Sequence, residues 1–244
     1  MILLYHAEPT LYALKPLIAL EELGLSYESR WIDERPVERV VPDFPGEATQ
    51  AIRVEGDGPV LVDGDAMLTS SFFILEYLAQ AYAEPPLAPA DPYEYYQAQA
   101  IGQTVAGTIA PFVSALAVAA HPVPAGDYGD IEPVERRRAW ENASASGQDI
   151  TGLSNRLEPG LRKLGTLLGE RDWFLPAYSI ADIDVFAIVR EVPALAPGLL
   201  DEVAPNLPGF CERMEARPAV QRALAKGWGS ATRYLPGPEI SRWG

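Results

Sequence analysis

One cysteine, Cys211, stands in 244 residues. A single thiol closes no internal disulfide, so packing alone must hold the fold, and a reducing compartment suits it. Such a thiol in a helical stretch reads as a small buried hydrophobe rather than a nucleophile. Histidine is scarce too: His6 and His121 are the pair, and no metal ligand set is read from them. Basic side chains are outnumbered, with 19 Lys and Arg against 34 Asp and Glu and a net charge of −15. A field of that sign repels nucleic acid and anionic membrane surfaces, which sets both aside as partners. Arg136-Arg137-Arg138 reads as a solvated helix face rather than a phosphate patch. The apolar stretch Met1 to Leu20 lacks a basic leader and is broken by Glu8, Pro9 and Pro16. It is read as neither signal peptide nor membrane span, and a cytoplasmic location is expected.

What the chain does have is proline used as punctuation. Pro85, Pro86, Pro89 and Pro92 cluster after Ala83 and read as a stiff linker. The expected division is residues 1–83, a linker 84–92, and 93–244, long enough for two modest cores. In the first part, Ile2 to Tyr5 reads as a buried strand. Leu17, Leu20 and Leu23 mark a helix whose start lies between Tyr12 and Lys15, because Pro16 suits only a first turn. Tyr27 to Ile32 follows as a strand, so the pair is parallel with a right-handed crossover. Asp33 to Asp57, with Pro36, Pro42 and Pro45, reads as mostly irregular.

Gly58 to Tyr82 organises the rest. Val60 to Val62 and Ala66 to Leu68 read as a hairpin about Asp63-Gly64-Asp65. Thr69, Ser70 and Ser71 are all helix-capping residues, and Phe72, Leu75, Leu78 and Tyr82 recur at helical spacing. Pro59 cannot donate to a ladder and so opens the strand, leaving neighbouring backbone groups for a ligand. Hydroxyls and N–H groups at the helix start attract a carboxylate. The two ends of this unit could hold one small peptide-like anion. Beyond the linker the pattern is helical. A long helix is expected over Tyr93 to Ala120, bent at Gly102, Gly107 and Pro111, then a polar helix over Val134 to Ser146. Leu153, Leu157, Leu161, Leu164 and Leu168 mark another, kinked at Pro159. Ser179 with Asp182 three residues on forms a capping box ahead of Ile183 to Val189.

On these residues, from the start to about residue 225, the chain resembles the glutathione S-transferase superfamily. The resemblance implies an α/β thioredoxin-like N-terminal domain plus an all-α C-terminal domain. It implies glutathione as co-substrate, no metal, and a cis bond before Pro59. It assigns glutathione contacts to Lys15, Gly58, Pro59, Ser70 and Ser71. It assigns catalytic roles to hydroxyls of Thr10 and Tyr12, a hydrogen bond to sulfur favouring thiolate over thiol. Ser70 replaces a common Glu, and Asp57 a common Lys or Gln. Leu14-Lys15-Pro16-Leu17 and Asp91-Pro92-Tyr93 resemble the bacterial lignin β-etherase group, which implies thiolate attack on a small aromatic electrophile, a β-aryl ether. Tyr12, Tyr96, Phe112 and Trp140 are the expected pocket. The family pattern implies a dimer, either homodimer or heterodimer with a related chain, the latter favoured by Ala13, Asp57 and Ser70. Two other readings stay open: a non-catalytic subunit of the same fold, and a general transferase, isomerase or dehalogenase.

Overall fold

The computed structural model describes residues 1–6, 9, 11–31, 39–41, 52–54, 58–82, 84–120 and 150–227. Its first part is a four-stranded sheet in the order β2-β1-β5-β6. β1 (Ile2–His6) runs parallel to β2 (Tyr27–Trp31) and antiparallel to β5 (Val60–Asp63), which pairs with β6 (Ala66–Thr69) across the turn. β1 is buried at every position and apolar from Ile2 to Tyr5, as suits a central strand covered on both faces. Leu4 and Leu61 face α1 (Leu11–Glu22) and α2 (Ser71–Ala81), packing with Leu14, Leu17, Leu75 and Leu78. Leu3, Tyr5, Val60 and Val62 form a second small core on the other face. Asp63 fastens the hairpin to α2 by accepting from the Tyr77 and Tyr82 hydroxyls at 2.9 and 2.5 Å.

Within the stretch read as mostly irregular, β3 (Arg39–Val41) and β4 (Ile52–Val54) form an antiparallel pair. Three residues per strand are too few for alternation to show against three prolines. Helix α1 also starts earlier than Pro16 suggested, at Leu11. Pro16 therefore sits in the second turn, where it removes the N–H that would reach the Tyr12 carbonyl.

The second part is helical: α3 (Pro92–Thr108), α4 (Ala110–Ala120), α5 (Ile150–Leu168), α6 (Ile180–Val189), α7 (Val192–Leu195), α8 (Leu199–Val203), α9 (Leu207–Glu215) and α10 (Pro218–Leu224). Asp91 caps α3, its carboxylate accepting from the N–H groups of Tyr93 and Glu94 at 2.9 Å. The long helix expected over 93–120 is divided at Ile109, between α3 and α4, rather than bent at Gly102. Gly102 has a different reason. A Cβ there would lie 2.8 Å from Asp184 Oδ2 and 2.9 Å from the Phe72 ring, so a larger residue would have to push these side chains aside. α5 runs through Pro159 without interruption.

Every residue of α6 is buried. Its capping box is formed as read: Asp182 Oδ2 accepts from the Ser179 N–H at 2.9 Å and Ser179 Oγ from the Ala181 N–H at 3.3 Å. Asp182 also accepts from the Phe174 N–H at 2.9 Å, pinning the loop before the helix. Burial pushes the Asp182 carboxyl up to about 6 against these hydrogen bonds. The polar helix expected over Val134 to Ser146 lies outside the described residues.

Candidate functional site

Strand register assembles the site. Tyr5 pairs with Val60, and Val60 with Thr69. The end of β1, the start of β5 and the end of β6 therefore share one edge of the sheet. Gly58-Pro59 and Ser70-Ser71 are the residues that continue from that edge, and α1 begins beside it. Backbone strain collects in the same place. Among the described residues, Leu11 (φ 45°) and Ser70 (φ 71°) are the non-glycine positions with positive φ, and Gly58 joins them at 80°. Leu11 and Ser70 each adjoin a helix start, a conformation that costs a side chain about 1–2 kcal/mol. The remaining positive-φ positions are Gly24, Gly64, Gly169 and Gly198, away from this edge.

Ser70 acts through its backbone. It holds the N-cap position of α2, but its hydroxyl makes no capping bond. Its carbonyl accepts from the Ile74 N–H at 3.0 Å, starting the helix. Ser71 is the first helical residue and is buried. The α2 N-terminus, with its N–H groups and the positive end of the helix dipole, opens at the sheet edge.

Tyr12 closes the arrangement from the opposite side. A Cβ placed on Gly58 would lie 3.8 Å from Tyr12 Cβ, so the tyrosine rests against the Gly58 backbone. Its ring reaches across to the helical domain, where Ser114 Oγ on α4 and Tyr12 Oη share a hydrogen bond at 3.1 Å. Both residues are half-buried. Tyr12, Gly58, Pro59, Ser70 and Ser71 are thus brought together, while Thr10, Asp57 and Trp140 lie outside the described residues.

Lys15 takes another place. Its ammonium lies 2.6 Å from Asp184 Oδ1 on α6, with both side chains 3% exposed. It is an interdomain strut, already committed to a carboxylate, and its assignment as a glutathione contact is corrected on that ground. The bond before Pro59 is also corrected: the cis peptide among the described residues is Glu84–Pro85, and Gly58–Pro59 is trans. Tyr96 stacks on Tyr93 at 6.4 Å and is 65% exposed, so it belongs to the outer surface rather than to a pocket. Phe112 is half-buried beneath the Arg156 guanidinium, 5.4 Å from its ring centre. Burial pushes the Cys211 thiol up to about 12, which removes it as a nucleophile at neutral pH. Among the described residues, no cluster of three or more His, Cys, Asp and Glu could hold a metal ion.

Two residues that shape the site escaped sequence reading, though each left a signal. Ser114 is the sole polar side chain in the α4 segment APFVSALAVAA. Asp184 is a second acid in the otherwise apolar run IADIDVFAIV, where the capping box explains only Asp182.

Residues 4–86 match the family model described as glutathione S-transferase, N-terminal domain. Glutathione S-transferase Z2 of Arabidopsis thaliana is 40% identical over 87 residues, a match spanning 34% of this chain and 37% of that protein's length. Protein LigF of Sphingobium sp. is 26% identical over 245 residues, covering 91% of this chain and 93% of LigF. The crystal structure of the β-etherase LigF superposes with a TM-score of 0.72 at 23% identity, covering 93% of this chain and 99% of that one. The theta class glutathione S-transferase of Xanthomonas axonopodis pv. citri, with glutathione bound, gives a TM-score of 0.64 at 20% identity over 93% of this chain and 97% of that one.

Proposed function

We propose that the chain is a glutathione S-transferase, the family whose N-terminal-domain model matches residues 4–86 and whose fold it shares, and that it binds glutathione at the edge formed by Gly58, Ser70 and Ser71. The observation that carries this reading is the convergence of three strand ends, the α2 N-terminus and Tyr12 at one place. The residues present suit glutathione in part. The Ser71 hydroxyl and the N–H groups of α2 suit a carboxylate, and the backbone at Gly58 and Pro59 suits a peptide. Ser70 brings no charge, and Lys15 is consumed by Asp184. Binding then leans on backbone groups.

Glutathione supplies the thiol. The chain's part is to favour its ionised form, hold it, and present an electrophile from the helical side. Hydroxyls of Thr10 and Tyr12 are the groups proposed for this chemistry, since a hydrogen bond to a thiolate lowers the thiol pKa. The proposed electrophile is a β-aryl ether of the lignin type. Support comes from the near full-length match to LigF, whose structure is described as that of a β-etherase. A dimer in a cytoplasmic setting is part of the same proposal. The test is release of a phenol from a synthetic β-aryl ether, measured with and without glutathione. Glutathione-dependent release is expected; release at the same rate in both would contradict it.

A second reading is favoured by Ser70 and by the committed Lys15: a subunit with an altered site that works beside a competent, related chain. Its signature is stoichiometric co-purification with that chain and activity restored only on mixing.

A further inference from the structure

We propose that Arg156 reads a carboxylate on the electrophile: its guanidinium holds that group at the far edge of α4, so the chain acts on aryl substrates that carry one. This rests on the transferase reading above and adds a class of substrate to it.

The site is built on the outward side of α4. Successive residues of a helix turn by about 100°. Val113, Leu116 and Ala117 therefore share one side of α4, and all three are buried. The opposite side carries Pro111, which is exposed, and Ala115, which is half-buried. Ser114 bounds that side at one edge, hydrogen-bonded with the Tyr12 hydroxyl at 3.1 Å. Phe112 bounds it at the other, with the Arg156 guanidinium of α5 5.4 Å from its ring centre. A helix with its side chains is about 10–12 Å across, which leaves room for an aromatic ring between the two edges. The Ser114 edge joins the sheet edge through Tyr12, whose Cβ rests against the Gly58 backbone. An electrophile lying along this side has one end at the glutathione edge and the other beneath Arg156.

Charge is distributed to match. From Tyr95 to Ala120 there is no Asp, Glu, Lys or Arg, so α4 offers an apolar surface suited to a ring. In a chain of net charge −15, an arginine finds an acid easily. Arg30, Arg162, Arg190, Arg213, Arg217 and Arg222 each have a carboxylate partner. Arg171 donates to the carbonyls of Leu167 and Leu168. Arg156 is the exception among the described side chains: its contact is the Phe112 ring. Glu158, two positions on, accepts from Arg162 at 2.8 Å instead. Lying over a ring limits the movement of a guanidinium and uses none of its N–H donors. The exposed fork is left set out for a carboxylate, whose two oxygens it matches in bidentate geometry. A residue that only shielded Phe112 from water would need no charge.

The test uses the full chain and two probes that differ in one group, 4-phenacyloxybenzoate and its carboxamide. Both are β-aryl ethers, and the first carries a carboxylate. Each is titrated calorimetrically into the chain with and without glutathione, then followed for cleavage with glutathione present. The wild type is expected to bind the carboxylate about tenfold more tightly than the carboxamide, as a charge-assisted pair allows. That ratio should fall towards unity in about 1 M salt, which screens an exposed pair. Arg156→Met keeps a cover over Phe112 and should abolish the preference while leaving carboxamide binding unchanged. Arg156→Lys should keep part of it, since an ammonium lacks the fork. An Arg156→Met variant that weakens both probes alike has lost a structural support only, and overturns the proposal. So does a preference that survives in that variant, or a wild type that binds neither probe or binds both equally. Glutathione-dependent cleavage of both probes, in a ratio that Arg156→Met leaves unchanged, overturns this inference and spares the transferase reading. Arg156-dependent binding of the carboxylate by a chain that takes up no glutathione sustains the anion site and overturns the transferase reading.

Discussion

The two ends of α1 are built on opposite plans. At its C-terminal end, Glu22 accepts from Arg217 through both carboxylate oxygens, at 2.6 and 3.0 Å. The Arg217 guanidinium lies 3.6 Å above the Tyr178 ring. Beside it, Glu21 takes Arg222 at 2.7 Å and the Tyr27 hydroxyl at 2.9 Å. At the N-terminal end, Leu11 holds a positive φ and Pro16 removes a backbone donor. There Tyr12 is tied to the helical domain by the Ser114 hydrogen bond. The buried Lys15–Asp184 pair stands between the two ends. The contrast teaches where this fold places its rigidity: the helix is fixed firmly at the far end, and the strain is carried where a ligand would sit.

The largest test of that contrast is the central strut. Lys15→Met or Asp184→Ala alone leaves a buried charge unpaired and should cost about 3–5 kcal/mol in a denaturant titration, whereas Lys15→Met with Asp184→Leu should recover most of it. A loss in the double variant equal to the sum of the two single losses would show that the pair is not coupled. Next comes the far end. Arg217→Ala loses a bidentate bond and a ring contact together and should cost about 2 kcal/mol, with Arg217→Lys in between. At the strained end the sign reverses. Ser70→Gly should raise stability by about 0.5–1 kcal/mol, the relief of positive φ outweighing added freedom of the unfolded chain. Its glutathione affinity should stay within a few-fold of the wild type, because Ser70 acts through its backbone.

The smallest effect is a pH dependence remote from both ends. The Asp182 carboxyl is raised in the folded state to about 6 by burial. The folded chain therefore holds that proton more tightly than the unfolded chain does, and stability from this group is full below the ordinary carboxylate range. It is lost as pH climbs through about 6. Thermal melts across that window should show the slope in the wild type and a flatter one in Asp182→Asn.

Local rules carried the fold a long way. The apolar run Ile2 to Tyr5, the Asp63-Gly64-Asp65 turn and the Ser179–Asp182 capping box each specify their element through nearest neighbours, and each forms as read. The site divides along the same line. That Gly58, Pro59, Ser70 and Ser71 lie together was legible because one hairpin sets them there. Lys15 was misread because a lysine's partner is a matter of tertiary contact: Asp184 lies 169 positions further along the chain. Ser114 was invisible for the same reason, being joined to Tyr12 across 102 positions. The short β3–β4 pair escaped because three residues per strand carry too little periodicity.

A calorimetric titration of glutathione into the intact chain, repeated with Ser71→Ala, tests most directly whether the strained edge is a binding site. Saturable heat at millimolar or tighter affinity is expected, weakened roughly tenfold in the variant by the loss of one hydrogen bond to a charged group. No heat at several millimolar ligand, or identical binding in both proteins, would contradict the assignment of that edge to glutathione.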